Sequence, residues 1–341
     1  MPTQSDVRSR TDAPGRLRRV LPVAVALVVG AVALRILSPA EDLSVPDVLS
    51  DFTTLTLSVV IESLPFVFLG ILLSIVVQLW LPEHLLHRVL PRNAAGRRLA
   101  ISLLGVLLPV CECGNVPLAR GLMIRGFSVS ESITFLLAAP ILNPVTIITT
   151  YQVFGWDNGI LAARILGALA IANLVGWLFS HHPRPGALLT SRFRASCESP
   201  HHHSHGTASR MTESLALFRG ETAAMLPALF FGSAIAGLIQ VAVSRDILIA
   251  LGGDPVWSVV ALMALAFVVS LCSNVDAFFV LALGSTFMPG SMVAFLVFGP
   301  MIDIKLLALL RTTFTTRTLA TLTGLVALCA AALGLGVNLL A

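Results

Sequence analysis

Of 341 residues, 56% are hydrophobic and only 12% charged, with a mean hydropathy of +0.90. An average soluble domain carries about twice that share of charge. Nine apolar runs reach or approach the ~20 residues a helix needs to cross a bilayer, which points to an all-α polytopic protein of the plasma membrane. The runs lack apolar–polar alternation, which excludes a transmembrane barrel. Net charge is +4, but the basic residues sit in tails and loops as topology signals, so no nucleic-acid partner is expected. The five cysteines (Cys111, Cys113, Cys197, Cys272, Cys329) are too few and too deep in apolar sequence for a disulfide scaffold.

In chain order, residues 1–19 read as a basic cytoplasmic tail, and 20–38 as an uncleaved transmembrane anchor with its amino terminus inside. Phe52–Leu81 follows, with Glu62 one turn before Pro65; a kink at Pro65 and an inward-facing Glu62 are expected. Arg88, Arg92, Arg97 and Arg98 then form a cytoplasmic signature. The next run, Leu99–Leu122, holds Pro109-Val-Cys-Glu-Cys-Gly-Asn-Val-Pro117 at its centre. Two prolines and Gly114 disfavour a continuous helix, and unwound backbone at membrane depth is tolerated only inside protein or along a wet cavity. Glu112 strengthens this reading, since an ionisable group at that depth usually faces a pathway. The plainer alternative is a kinked helix whose polar residues satisfy one another.

Ile133–Phe154 is broken by Pro140-Ile-Leu-Asn143-Pro144, and Ile160–Phe179 closes a first permease-like unit at 52–179. Residues 180–211 form a hydrophilic loop with His201, His202, His203 and His205, a tract that can hold a divalent metal loosely or serve as a plain linker. A second unit, 215–341, repeats the first. Pro65-Phe-Val-Phe-Leu-Gly70 matches Pro227-Ala-Leu-Phe-Phe-Gly232, and Cys113-Gly-Asn115-Val116 matches Cys272-Ser-Asn274-Val275. Phe135-Leu-Leu-Ala-Ala-Pro140 matches Phe295-Leu-Val-Phe-Gly-Pro300, with Asn143 and Asp303 each three residues on. Doubled helix breaks point to a secondary transporter whose site lies at the repeat interface. If Leu99–Arg125 is a re-entrant hairpin tipped by the cysteines, the halves are inverted and the positive-inside rule is satisfied.

The Cys-Glu-Cys-Gly-Asn-Val-Pro stretch, the Pro-Ile-Leu-Asn-Pro segment and the later Cys-Ser-Asn-Val-Asp resemble the predicted permeases related to the arsenic permease ArsP and to YraQ. The resemblance runs from about Asp51 to the carboxyl end. It implies a permease, and by likeness to members that expel trivalent organoarsenicals it makes Cys111, Cys113 and Cys272 candidate thiol ligands. The histidine loop departs from what a dedicated arsenical exporter needs.

Thiolates suit soft ions and, by extension, trivalent arsenic, so the expected partner is a metal ion or metalloid substrate in a lipid bilayer, with no cofactor. On a helix Cys111 and Cys113 would point about 200° apart; in an extended segment they share a side. Glu112, Asp276 and Asp303 are candidates to offset a cation's charge or carry protons, and Asn115, Asn143 and Asn274 to bind polar groups. In the bland reading the asparagines are interhelical glue and Cys329 packs as a small apolar residue. Two rival classes remain: a membrane thiol oxidoreductase, which would want Cys-x-x-Cys near a face, and a non-transporting scaffold. Association with further copies of the chain stays open.

Overall fold

The computed structural model describes residues 47–80, 90–91, 93–108, 110–198, 207–242, 254–284 and 286–340. The amino-terminal tail, the anchor and the tract at His201–His205 lie outside the described residues. The chain divides into two units, Met1–Ser50 and Asp51–Ala341; of the first, only the opening turn of a helix is described. Among the described residues the regular structure is helical, joined by turns, with a single isolated bridge between Leu189 and Phe314.

Helix α1 (Asp47–Ile75) continues through Pro65 and ends in a π turn at Val76–Trp80. Glu62 is solvent-accessible while Ser63 beside it is buried, yet its charged neighbours are Lys305 and Glu112, so it looks toward the junction of the two halves as expected and not away from it. Helices α2 (Ala94–Ser102), α3 (Leu104–Leu107) and α4 (Glu112–Ile124) make up the cysteine run. Helices α5 (Val129–Leu142) and α6 (Pro144–Phe154) meet at a 42° bend at Asn143, and α7 (Ile160–Ser180) follows. After a short 3-10 turn at Pro185–Leu188 come α8 (Ser191–Glu198) and α9 (Thr207–Ala242). Then follow α10 (Trp257–Val269), α11 (Asp276–Leu281), α12 (Pro289–Met301), α13 (Ile304–Leu310) and α14 (Thr316–Leu340).

Two of the apolar runs fold back instead of crossing. Arg97 pairs with Glu131 (3.3 Å), Gly105 lies against Ala139, and Asn143 donates to the Val110 carbonyl (3.2 Å), so residues 94–110 run beside α5 in its own direction. Helix α4 then returns. It joins α5 through a turn in which Gly126 takes a positive φ of 89°, and Ser128 and Glu131 form a capping box. The result is a hairpin tipped at Cys111. The second half does the same: Ser258 bonds Ser291 (2.7 Å) and Gly299 lies against Ala266, so α10 runs beside α12, and α11 turns back toward Met288.

The hairpins approach from opposite ends. Lys305, in the first turn of α13, reaches Glu112 at the first tip (3.1 Å), whereas Arg120 two turns along α4 reaches the Thr312 carbonyl (3.3 Å) and the Thr313 hydroxyl (3.1 Å) beyond α13. Helix α13 therefore descends toward the open end of the first hairpin. Because α12 and α13 form one apolar stretch, Pro289–Leu310, the second hairpin opens at the other end. One contact fixes the level of α1: a Cβ on Gly70 would lie 2.0 Å from the Gly114 carbonyl oxygen, so α1 and α4 cross backbone to backbone and Ser63 comes to the tip.

Arg97, Arg125, Arg184, Arg192, Arg194, Arg311 and Arg317 collect at the open end of the first hairpin, while Asp157 and Asp254 lie at the other. The positive-inside rule assigns the arginine-rich end to the cytoplasm. A cysteine at exposed Asn158 should then react with an impermeant maleimide in intact cells. One at exposed Ser196, with Cys197 replaced by serine, should react only after permeabilisation. Burial pushes the native Cys197 thiol above its ordinary range, so it also reacts slowly at neutral pH. Labelling of both positions from outside would contradict the placement of these ends.

Candidate functional site

The sequence breaks the chain at Leu108–Cys111, not within the cysteine motif itself. Leu108 and Cys111 are extended (Cys111 ψ 173°), and helix α4 starts at Glu112 and carries Cys113, Gly114, Asn115 and Pro117 inside it. Pro117 is the sixth residue of α4, past the first turn, so it removes the N–H that would bond the Cys113 carbonyl and loosens the helix beside the cysteines without ending it. Cys111 thus stands as the cap of α4 while Cys113 sits in its first turn. That mixed geometry lets the two thiols converge, although only one of them is in extended backbone.

The sulfurs of Cys111 and Cys113 and a carboxylate oxygen of Glu112 all lie within 4.8 Å of one another, and all three residues are buried. The Cys113 thiol donates to Ser63 of α1 (3.7 Å). From the second tip, the Cys272 thiol reaches the far oxygen of Glu112 (3.9 Å), and the Ser273 hydroxyl donates to the same atom (3.5 Å). Cys111 is close enough to interact with both other thiols. Three free thiols therefore surround one carboxylate at the junction of the two hairpins. Lys305 completes the junction: its ammonium binds Glu112 and donates to the Ser270 carbonyl (3.4 Å). Ser270 ends α10 with a φ of 52°, the one non-glycine positive φ among the described residues, so backbone strain is stored at this tip.

The other residues singled out from sequence fall into distinct places. Asn143 caps α6 through the Val145 N–H (2.9 Å) and ties the helix break to Val110. Asn274, half-buried, accepts from Thr146 (3.1 Å), which lies just beyond the same break. Asp276 is held by Arg164 through both carboxylate oxygens, and Arg164 also donates to Thr150 (2.7 Å). One oxygen of Asp303 caps α13, while the other finds no partner among the described residues. Asn115, one turn below Glu112, is fully buried with both amide atoms unpartnered among the described residues. An unmet amide costs about 1–3 kcal/mol, so its position beside the thiols fits a group that meets a polar ligand or water.

Sequence reasoning passed over Lys305, Arg164 and the buried pair Arg120–Glu221 (2.9 Å). All are ionisable residues in or beside apolar runs, and the rule that picked out Glu112 also picks them. Ser63 and Thr146 carried no such signal, because a hydroxyl in an apolar helix is common.

The Glu112–Lys305 pair predicts non-additive losses. Lys305→Met should destabilise the purified protein by about 3–5 kcal/mol, since it leaves a buried carboxylate alone. The double variant Glu112→Gln/Lys305→Met should recover most of that loss in a thermal-unfolding assay. Additive losses would show that the two charges do not act as a pair.

A family described as predicted permease matches residues 48–339. The chain is 35% identical to the UPF0718 protein YcgR of Bacillus subtilis (strain 168), over 76% of this chain and 88% of that protein. It is 34% identical to a putative two-component membrane permease complex subunit of Streptococcus mutans, over 76% of this chain and 86% of that one. A shorter match, 32% identical, covers 32% of this chain and 31% of the UPF0718 protein YraQ of Escherichia coli (strain K12). No solved structure matches. The doubled hairpins and the span of the match lead to one assignment: the chain belongs to the predicted permease family.

Proposed function

We propose that the chain is a secondary transporter that carries a thiophilic metalloid or soft metal ion through the junction of the two hairpin tips, and that its halves are inverted repeats. The observation that carries this reading is the gathering of Cys111, Cys113 and Cys272 around Glu112, where elements from both halves meet. Soft trivalent arsenic and soft metal ions favour such a sulfur set.

Charge and bond exchange bear on the substrate. Glu112 is paired with Lys305, and Asp303 and Glu62 lie within electrostatic reach of the same pair, so the carboxylates near the thiols outnumber the one lysine. A divalent cation would have to expel thiol protons or pull Glu112 from Lys305. A trivalent arsenical exchanges its hydroxyl groups for thiols and releases water, each As–O bond being replaced by As–S, with no net change of charge. The thiols therefore suit an uncharged trivalent metalloid, and the neighbouring carboxylates keep a soft cation as the second reading. Thiol–disulfide exchange fits poorly, since a disulfide substrate must reach the sulfur and these three residues are 3% exposed or less.

Two buried ion pairs stand on either side of the site. Arg120–Glu221 pins α4 to α9 toward the arginine-rich end, and Arg164–Asp276 pins α11 to α7 toward the other. Alternate release of these pins would open the site to one side at a time. By likeness to the Streptococcus mutans relative, a second subunit is proposed as a partner.

Flux of arsenite or of a methylated trivalent arsenical into proteoliposomes tests the reading. Cys113→Ser and Cys272→Ser should each lower flux about tenfold or more, because each removes a soft ligand and keeps the size. Cys329→Ser, at a half-buried position on α14, should leave it unchanged. Glu112→Gln should also impair flux without loss of membrane insertion. Normal flux in both serine variants would overturn the thiol site.

A further inference from the structure

A cavity of about 410 Å³ opens at the arginine-rich end, between the last turn of α7, the 3-10 turn and the first turn of α14. Its lining mixes two chemistries. Arg184, Arg317 and His182 supply cationic or donor groups with the Thr321 hydroxyl near them, and Phe179 and Leu188 supply an apolar floor. Neither arginine has an ion-pair partner among the described residues, and both are exposed. The His182 Nδ1 is engaged by the Arg184 main chain (3.0 and 3.3 Å), which fixes the imidazole beside that arginine.

The walls are built, not incidental. Thr315 N–H donates to the Leu188 carbonyl (3.0 Å), the Thr318 hydroxyl donates to the same oxygen (3.0 Å), and Leu189 bridges to Phe314. These bonds hold the 3-10 turn against α14, so Arg184 and Arg317 come from segments more than a hundred residues apart and are fixed on one cavity. Two guanidinium groups with no ion-pair partner among the described residues offer an anion donors from two sides of one concavity. Their forked donors match phosphate oxygens, and the apolar floor suits the glycerol and acyl edge of a lipid.

We propose that this cavity binds a phosphate group, supplied by the headgroup of an anionic phospholipid of the cytoplasmic leaflet. Basic clefts between helices at that depth are suited to such headgroups. Binding would also brace the loop that carries Thr313, whose hydroxyl and neighbouring carbonyl hold Arg120. The site is independent of the thiol cluster and of what is transported there.

The full chain, purified in a mild detergent, tests this by thermal unfolding with added phosphatidylglycerol, phosphatidylcholine or inorganic phosphate. Phosphatidylglycerol should raise the midpoint and phosphatidylcholine should not, since a ligand of the folded state alone stabilises it by mass action. Arg184→Gln/Arg317→Gln should weaken the apparent affinity at least about tenfold, the loss expected for a charge-assisted pair. Arg192→Gln/Arg219→Gln, which removes two exposed arginines outside the cavity, should keep the response and so controls for general charge. Stabilisation by inorganic phosphate that is lost in the same double variant would support the phosphate site with a free anion as its source. No response to either anion, or an equal response in both double variants, would overturn the proposal.

Discussion

The ion pair between Glu112 and Lys305 is the interaction on which the rest of the arrangement depends. It joins the tip of one hairpin to the first turn of α13 in the other half, and through Lys305 it touches the carbonyl at the tip of the second hairpin. Both partners are about 1% exposed. A buried pair of this kind is not strongly stabilising in itself, because desolvation of two charges offsets most of their attraction. Its effect is positional. Glu112 cannot turn away from Lys305 without leaving a charge unpaired, and with its carboxylate fixed, all three thiols have a common centre.

Around that centre the structure is built in opposed pairs. Each hairpin enters from one end, stops near the middle and returns; each is accompanied by a span broken at Asn143 or Asp303, with those side chains capping the continuing helix. Each returning helix is held by one buried ion pair at its own side, Arg120–Glu221 or Arg164–Asp276. Backbone that leaves the helix is confined to places enclosed by protein, as a bilayer requires. Small residues permit the close crossings, as at Gly70 and Gly114, and these bring Ser63 against Cys113.

Much of this was legible in the sequence. Apolar runs and the Pro, Asn and Cys motifs pointed to the spans, to the helix break at Asn143 and to the cysteines that the structure brings together. The hairpin at Leu99–Arg125 followed from loop charge, and the structure places its tip at Cys111. What could not be read was local. Pro109 and Pro117 suggested an unwound motif, yet Pro117 lies within the helix α4 that begins at Glu112, where it removes one hydrogen bond, to the Cys113 carbonyl, and the helix continues past it. Glu62 looked internal by its chemistry, and it does stand within electrostatic reach of Lys305 and Glu112, but it is solvent-accessible there while Ser63 is buried against Cys113. Asp276 looked available for a cation; its partner Arg164 is 112 residues distant in sequence, and no local pattern joins them. Lys305 was in plain view at the head of α13 and was hidden only by the apolar residues around it.

The central claim is that both hairpin tips contribute sulfur to one binding centre. X-ray absorption at the arsenic edge of arsenite-loaded protein measures this directly, because sulfur and oxygen neighbours differ in distance and scattering. Three sulfur neighbours are predicted in the native chain, falling to two with one oxygen in Cys272→Ser. An all-oxygen shell, or a sulfur count unchanged by Cys272→Ser, would contradict it.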